Sequence, residues 1–205
     1  MKKIKRMERD GMDREFTPER INAFSDGVFA IIITVMILQL KRPLAPTFGA
    51  LFSEWPTWIS YVVSYCFIAI VWINHHYLLH HATVASLRLM WANFAHLFSV
   101  SLIPFLTDWM AATRLQPVTV AMYGFVFLLV NVTYLLLIRE TIGAKNTMDI
   151  PDKAVRLFHM RSVLTILIFG SAMVVALWHP YIGFVIICAC LTLYVRPDVP
   201  FIRRG

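Results

Sequence analysis

The sequence predicts an all-α integral membrane protein with six transmembrane helices per subunit, in a single domain spanning residues 1–205. Hydrophobic residues make up 59% of the chain and charged residues 15%, against about 45–50% and ~25% in an ordinary soluble domain. The charges are also segregated, and no charged residue occurs at 55–87, 89–107, 115–138 or 162–195. Each span needs ~20 apolar residues, so the apolar content is enough for about six. This composition excludes a disordered chain, a disulfide scaffold and a soluble nucleic-acid binder.

The first span is predicted at residues 18–40, which is 23 residues or about 34 Å of helix. Thr17 is typical of an N-cap, and Pro18 and Glu19 are typical of a first helical turn. Pro43 follows two basic residues and ends the apolar run. This length is sufficient to cross a bilayer.

Five further spans follow from the apolar runs and the turn residues between them. Trp178-His179-Pro180-Tyr181 divides the last apolar stretch, which is 34 residues long, into two short spans. Pro104 and Pro117 are expected to flank the loop after the third span rather than to break a span. The predicted spans are 57–79, 90–107, 117–138, 162–178 and 181–195.

The distribution of basic residues predicts the orientation of these spans. With six crossings, 16 of the 19 Lys and Arg residues lie on the side of the two termini, and 3 lie opposite. This bias places both termini, including the tail 1–17, in the cytoplasm of a cell (inner) membrane protein. The tail lacks the apolar core of a cleavable signal peptide, so the first span is expected to act as its own insertion signal. The three cysteines are interpreted as small buried apolar residues without disulfides.

One side of the first span carries a continuous stripe. At 100° per residue, Ile31, Thr34, Val35 and Leu38 lie on one side of the helix together with Arg20, Phe24 and Gly27, and Asp26 lies on the other. Apart from Glu19 in the first turn, Asp26 is the only acidic residue inside a predicted span, where a carboxylate is costly. Two simpler interpretations stay open at this point: an aliphatic stripe as a helix–helix seam, and an aspartate that is solvated or caps a neighbouring helix.

The start of this span resembles a known signature. Arg20-x-x-x-Phe24-Ser25-Asp26, with the following apolar residues to about Leu40, is similar to the motif of the transmembrane protein 175 family of potassium-selective cation channels. The resemblance implies a homotetramer with the first helix of each subunit lining a central pore. It further implies a leak-type channel without catalysis or a bound cofactor, with potassium ions and the lipid bilayer as its partners and no nucleic acid.

The resemblance also assigns roles to residues of the stripe. Ile31 corresponds to the hydrophobic bottleneck, Val35 and Leu38 to further apolar layers, and Thr34 to a pore-side threonine. Bacterial members often have leucine at the position of Val35, so this layer is expected to be wider here. None of the eight glycines lies in a T-V-G-Y-G-like loop, so selectivity is expected from constriction and dehydration rather than from a carbonyl filter.

A polar network that holds the pore helix is a second implication of the resemblance. It involves the second and third spans, and its expected members are Arg20, Phe24, Ser25, Asp26, Trp72 and one or both of His75 and His76. The sequence does not identify the individual pairs.

Two other functions remain as alternatives. One is a secondary transporter, although these proteins usually have helices broken by Gly or Pro in paired positions. The other is a membrane oxygenase, because His76-Tyr-Leu-Leu-His80-His81 resembles one histidine box of that class. Such enzymes use three boxes, and only one is present here, so we predict no metal site and no enzyme.

Overall fold

The computed structural model describes residues 17–82, 84–143 and 152–194. Within these ranges the regular structure is entirely helical, which confirms the predicted all-α class. A 3₁₀ turn at Ile37–Gln39 continues the first helix. The helices are α1 (Pro18–Met36), α2 (Phe48–Ser53), α3 (Trp55–His80), α4 (Leu87–Ser101), α5 (Ile103–Ala112), α6 (Pro117–Gly143), α7 (Asp152–Ala176) and α8 (Pro180–Tyr194).

Four helical segments of the described chain are long and apolar enough to cross a membrane: Pro18–Gln39, Trp55–His80, Leu87–Ala112 and Pro117–Thr141. Two shorter apolar segments follow, at Ser162–Ala176 and Pro180–Thr192. The chain is therefore a multi-pass membrane protein, and the count of six spans stays a prediction. The predicted tail, except for Thr17, lies outside the described residues.

Three helix starts have a side-chain cap. Thr17 Oγ1 accepts the Arg20 N–H at 3.4 Å, which confirms the predicted start of α1. In the same way, Thr47 caps α2 at 3.2 Å and Ser86 caps α4 at 3.1 Å. Each cap satisfies one backbone donor that the first turn would leave unpaired.

The third membrane segment differs from the predicted span 90–107. It extends over Leu87–Ala112 and is divided at Leu102 into α4 and α5. The last turn of α4 tightens, since the Leu102 N–H bonds to Ser99 O at 3.4 Å. Pro104 lies in the first turn of α5, where its lack of an N–H is tolerated. The expectation that Pro104 only flanks the following loop was therefore wrong.

The predicted start of the fifth span at residue 162 lies ten residues after the start of α7 at Asp152. Residue 162 follows Arg161, which is the last charged residue before the uncharged stretch 162–195. Charge marks the edge of an apolar segment, but Lys and Arg are good helix formers, so the helix extends beyond that edge. The turn predicted around Pro180 is present, and Gly183 N–H bonds to His179 O at 3.0 Å at the start of α8.

The core lies where α3, α6 and α7 meet. The rings of Phe67 and Phe127 stack at 3.8 Å, and Phe169 contacts Phe67 edge-on at 6.0 Å. Beside these rings, the buried Ser64 Oγ is 2.7 Å from Thr107 Oγ1 and 2.6 Å from Tyr123 Oη. These bonds satisfy three buried hydroxyls and join α3, α5 and α6.

The three cysteines are free. Cys190 is buried and Cys188 is half-buried, but Cys66 is exposed on α3. The interpretation of all three as buried residues was therefore wrong for Cys66.

We expect Gly183→Ala to destabilise the protein. An added Cβ would lie 2.6 Å from Ala176 Cβ and 2.9 Å from Ala172 O, so α8 would have to move away from α7. Overpacking of this kind costs about 1–3 kcal/mol. Thermal unfolding in detergent measures the loss, and Gly49→Ala is the matched control because nothing lies within 4 Å of its Cβ position. Equal unfolding midpoints for the two variants would contradict the close packing of α7 and α8.

Candidate functional site

Helix α1 has one face that packs against the rest of the protein. The residues on this face recur every three or four positions, as expected for one side of a helix. They are Ile21, Ser25, Phe29, Ile32 and Met36, and all are buried.

The predicted stripe lies on the other, uncovered face of α1. Ile31 is 63% exposed, Val35 is 42% exposed, and Leu38, in the 3₁₀ turn, is 80% exposed. Thr34 is also exposed, as is Gly27 one turn before Ile31. The structure therefore brings the four predicted residues together on a surface that no other part of the described chain covers.

Thr34 is the polar member of this stripe. Its hydroxyl lies 2.9 Å from both Ala30 O and Ile31 O. A hydroxyl has one hydrogen and two lone pairs. Because the hydrogen is donated to the helix backbone, the Thr34 oxygen presents an acceptor to whatever occupies the space in front of the stripe.

Asp26 lies on the flank of α1 that contacts α3. Its Oδ1 accepts a hydrogen bond from Trp72 Nε1 at 2.8 Å and lies 3.6 Å from His76 Nδ1. Asn22, one turn earlier on α1, is also bonded to His76, with 3.1 Å between Nδ2 and Nδ1. The side chains of Asp26 and His76 remain 36% and 45% exposed. Asp26 thus bonds to a neighbouring helix while remaining open on one side.

Ser25 lies in a second, fully buried part of the network. Its hydroxyl donates to Ile21 O at 2.8 Å and accepts from Asn93 Nδ2 at 3.0 Å. His75 Nε2 donates to Asn93 Oδ1 at 2.7 Å. One amide side chain therefore connects α1, α3 and α4. His75 is linked to Ser25 only through Asn93, whereas His76 lies beside Asp26.

His96 is a member of this cluster that the sequence analysis missed. Its ring stacks on that of His75, with centroids 5.6 Å apart and planes 6° apart. Its Nδ1 is 3.2 Å from Thr133 Oγ1 on α6. The one signal in the sequence was its spacing of three residues from Asn93, which places both on the same face of a helix.

Phe24 and Arg20 lie on the side of α1 away from Asp26, in line with the stripe and beside α4. Phe24 is exposed and contacts Phe94 edge-on, with ring centroids 5.7 Å apart. Arg20 is exposed and lines, together with these two rings and Asn93, an apolar pocket of about 210 Å³. The predicted network residues are thus distributed over both flanks of α1.

The histidines at the end of α3 lie in separate surroundings. His81 Nδ1 donates to Tyr77 O at 2.8 Å, and His80 is exposed. In the part of the chain that the structure describes, no group of three or more His, Cys, Asp or Glu residues is placed to hold a metal ion.

The comparisons with known proteins all point to one family. The model of the family described as endosomal/lysosomal potassium channel TMEM175 matches residues 20–104. A potassium channel of Chryseobacterium sp. (strain P1-3) is 30% identical over 182 residues, which cover 89% of this chain and 94% of that protein. The chain belongs to the TMEM175 family. A potassium channel of Streptomyces collinus is 37% identical over 115 residues, covering 52% of this chain and 56% of that channel.

A solved structure supports the fold of this TMEM175-family protein. It is the crystal structure of a lysosomal potassium-selective channel TMEM175 homolog from Chamaesiphon minutus, at a TM-score of 0.80 and 21% identity. The alignment covers 89% of this chain and 98% of that chain. The arrangement of helices is therefore shared across nearly the whole of both proteins.

The family match also decides between the functional classes considered from the sequence. The region 20–104 contains every predicted site residue, from Arg20 to His76, together with Asn93 and His96. The TMEM175 family and the matched relatives are ion channels and not enzymes. The oxygenase alternative, which depended on one histidine box, is thereby excluded.

Proposed function

We propose that this TMEM175-family protein is a potassium-selective, leak-type channel in which the α1 helices of four subunits line a central pore. One observation carries the proposal: Ile31, Thr34, Val35 and Leu38 form an uncovered stripe on α1, while a different face of that helix, from Ile21 to Met36, is packed within the subunit. The family and the potassium-channel relatives support a channel function for the chain, and the proposal assigns the pore to this stripe.

Ile31 is the proposed constriction. Four isoleucine side chains around an axis form an apolar ring that offers no ligand to an ion, so an ion must lose part of its hydration shell to pass. Potassium is dehydrated more easily than sodium, and a ring of this kind can also close by dewetting. Val35 and Leu38 add apolar layers on one side of the ring, and Thr34 supplies hydroxyl oxygens next to it.

The polar network has a positioning role in this proposal. Trp72 and His76 contact Asp26, and Asn93 contacts Ser25, so the stripe is held at one rotation about the α1 axis. A rotation of one residue, about 100°, would turn Ile31 away from the pore. The proposed orientation in the cell membrane has cytoplasmic termini, because 16 of 19 basic residues lie on that side.

The test is a reversal-potential measurement on purified full-length protein in planar bilayers. Under opposed potassium and sodium gradients, the expected reversal potential lies toward that of potassium, and the current is expected to rise steadily with ion concentration. A reversal potential near zero would contradict potassium selectivity. A flux that saturates and requires a second ion would instead support the secondary transporter.

A further inference from the structure

Two stripes on the surface of the subunit have matching spacing. The first, on α3, consists of Tyr65, Ala69, Trp72 and His76, separated by four, three and four residues. The second, on α4 and α5, consists of Phe94, Phe98, Ser101 and Phe105, with the same separations. Such spacing keeps residues on one side of a helix and is typical of helix–helix seams.

Neither stripe is fully covered by the rest of the described chain. On the second stripe Phe98 and Phe105 are each 63% exposed, and Phe94 and Ser101 are exposed as well. On the first, Tyr65 and Trp72 are exposed and Ala69 is half-buried. Each stripe also has three aromatic or imidazole rings and one small residue, Ala69 as the second residue of the first stripe and Ser101 as the third residue of the second.

The α3 stripe is poorly suited to lipid. Its last residue, His76, is 45% exposed at the side chain and lies 3.6 Å from the carboxylate of Asp26, which is 36% exposed. Both residues lie inside membrane segments. A charged side chain facing hydrocarbon costs about 2.5–3.5 kcal/mol or more. Protein or water must therefore cover this flank.

The geometry of a ring of subunits identifies what covers it. Helix α1 contacts α3 on one flank, through Asp26 and Trp72, and α4 on the other flank, through Phe24 and Phe94. If the exposed stripe of α1 faces an axis, closing the ring brings the α3 flank of each subunit against the α4 flank of the next. Such a contact is heterologous, because it joins two different surfaces of the same chain. It gives a closed ring rather than a filament when the rotation from one subunit to the next is a whole fraction of a full turn.

Two hydrogen bonds fix the depth of the stripes relative to each other. His75 Nε2 is 2.7 Å from Asn93 Oδ1, and Ser64 Oγ is 2.7 Å from Thr107 Oγ1. Residues 75 and 93 therefore share one level, and residues 64 and 107 share another. Rotation about an axis along the membrane normal preserves depth, so these levels also hold between neighbouring subunits.

We propose that the α3 stripe of one subunit packs antiparallel against the α4–α5 stripe of its neighbour. The depth levels bring four pairs together to within about 3 Å along the helices: His76 with Phe94, Trp72 with Phe98, Ala69 with Ser101, and Tyr65 with Phe105. In this contact the neighbour's aromatic rings cover the open side of the Asp26–His76 pair. The inference rests on the proposed function, because it takes the α1 stripe as the pore face.

The test is disulfide formation between Ala69→Cys and Ser101→Cys, which are small changes at the central pair. Both are introduced into full-length protein in which Cys66, Cys188 and Cys190 are replaced by alanine, reconstituted at low density in liposomes and oxidised. The double variant is expected to give a ladder of cross-linked species that ends at the closed ring and collapses on reduction. Neither single variant is expected to cross-link, because a heterologous contact does not bring identical positions together.

Ile70→Cys with Ser101→Cys is the matched control. Ile70 is half-buried on α3 like Ala69, but it is rotated by about 100° from the stripe and should give no ladder. Potassium flux from the cysteine-free protein, measured in the same liposomes, separates the two hypotheses. Flux without a ladder from the double variant overturns this interface and leaves the proposed function intact. A ladder from Ser101→Cys alone, or an equal ladder from the control, also overturns it. A ladder without flux supports the interface and counts against the channel.

Discussion

Ile31→Asn is expected to raise the potassium current roughly tenfold, the effect of lowering the barrier by about 1.4 kcal/mol. The same change should move the potassium-to-sodium permeability ratio toward one. The reason is that the side chain of Ile31 is 63% exposed on the proposed pore face. An amide there would supply oxygen ligands to either ion and keep the constriction hydrated. The difference in dehydration cost between potassium and sodium would then no longer affect their relative permeation.

The measurement is single-channel current and reversal potential in planar bilayers, compared with wild type. Ile182→Asn is the matched control, because Ile182 is similarly exposed at 54% but lies on α8. It should leave both quantities unchanged. If Ile31→Asn leaves the reversal potential and the current unchanged, the stripe faces lipid or another helix, and the proposed constriction is wrong.

The stripe on α1 could be predicted because it depends on local information. Thr17 and Pro18 mark the start of the helix, and the helical repeat then determines which residues share a face. The structure places Ile31, Thr34, Val35 and Leu38 on one uncovered face, as that repeat requires. Neither the repeat nor the single chain specifies that this face lines a pore, so that role is a proposal.

The polar network could be predicted only in outline, because it depends on packing between helices. The resemblance indicated Asp26, Trp72 and the histidine pair 75–76, but the contacts of His75, Asn93 and His96 depend on how α3 and α4 rotate against α1. His96 lies 21 residues from His75 in the chain and stacks on it in space. No pattern of spacing within one helix contains that contact.

The helix breaks show a different limit. Hydropathy averages over a window, so it locates the third span but not the division at Leu102, where α4 gives way to α5. Pro104 is the sequence feature that marks this division. However, a proline in the first turn of a helix and a proline in the loop after a helix give the same local sequence signal. The choice between them depends on whether the residues after the proline have a place in the core, and Leu106 and Met110 do.

Asn93→Leu is expected to destabilise the protein by about 2–4 kcal/mol, since two hydrogen bonds are lost and a buried imidazole loses its acceptor. Asn93 is 2% exposed and bonds to both Ser25 and His75. Leucine fills a similar volume, so the loss is one of polar partners rather than of packing. The unfolding midpoint in detergent should fall by roughly 5–15 °C, and the yield of assembled protein should fall with it.

Asn22→Leu is the matched control, because it makes the same chemical change at a half-buried position with one bond to His76. Water can replace that bond more readily than the bonds of Asn93, so the midpoint should fall by less than half as much. If the two variants lose equal stability, the burial of Asn93 is not the reason for its contribution to stability. If Asn93→Leu unfolds like wild type, α1 is held by its apolar face alone, and the motif must act in some other way than by fixing the rotation of α1.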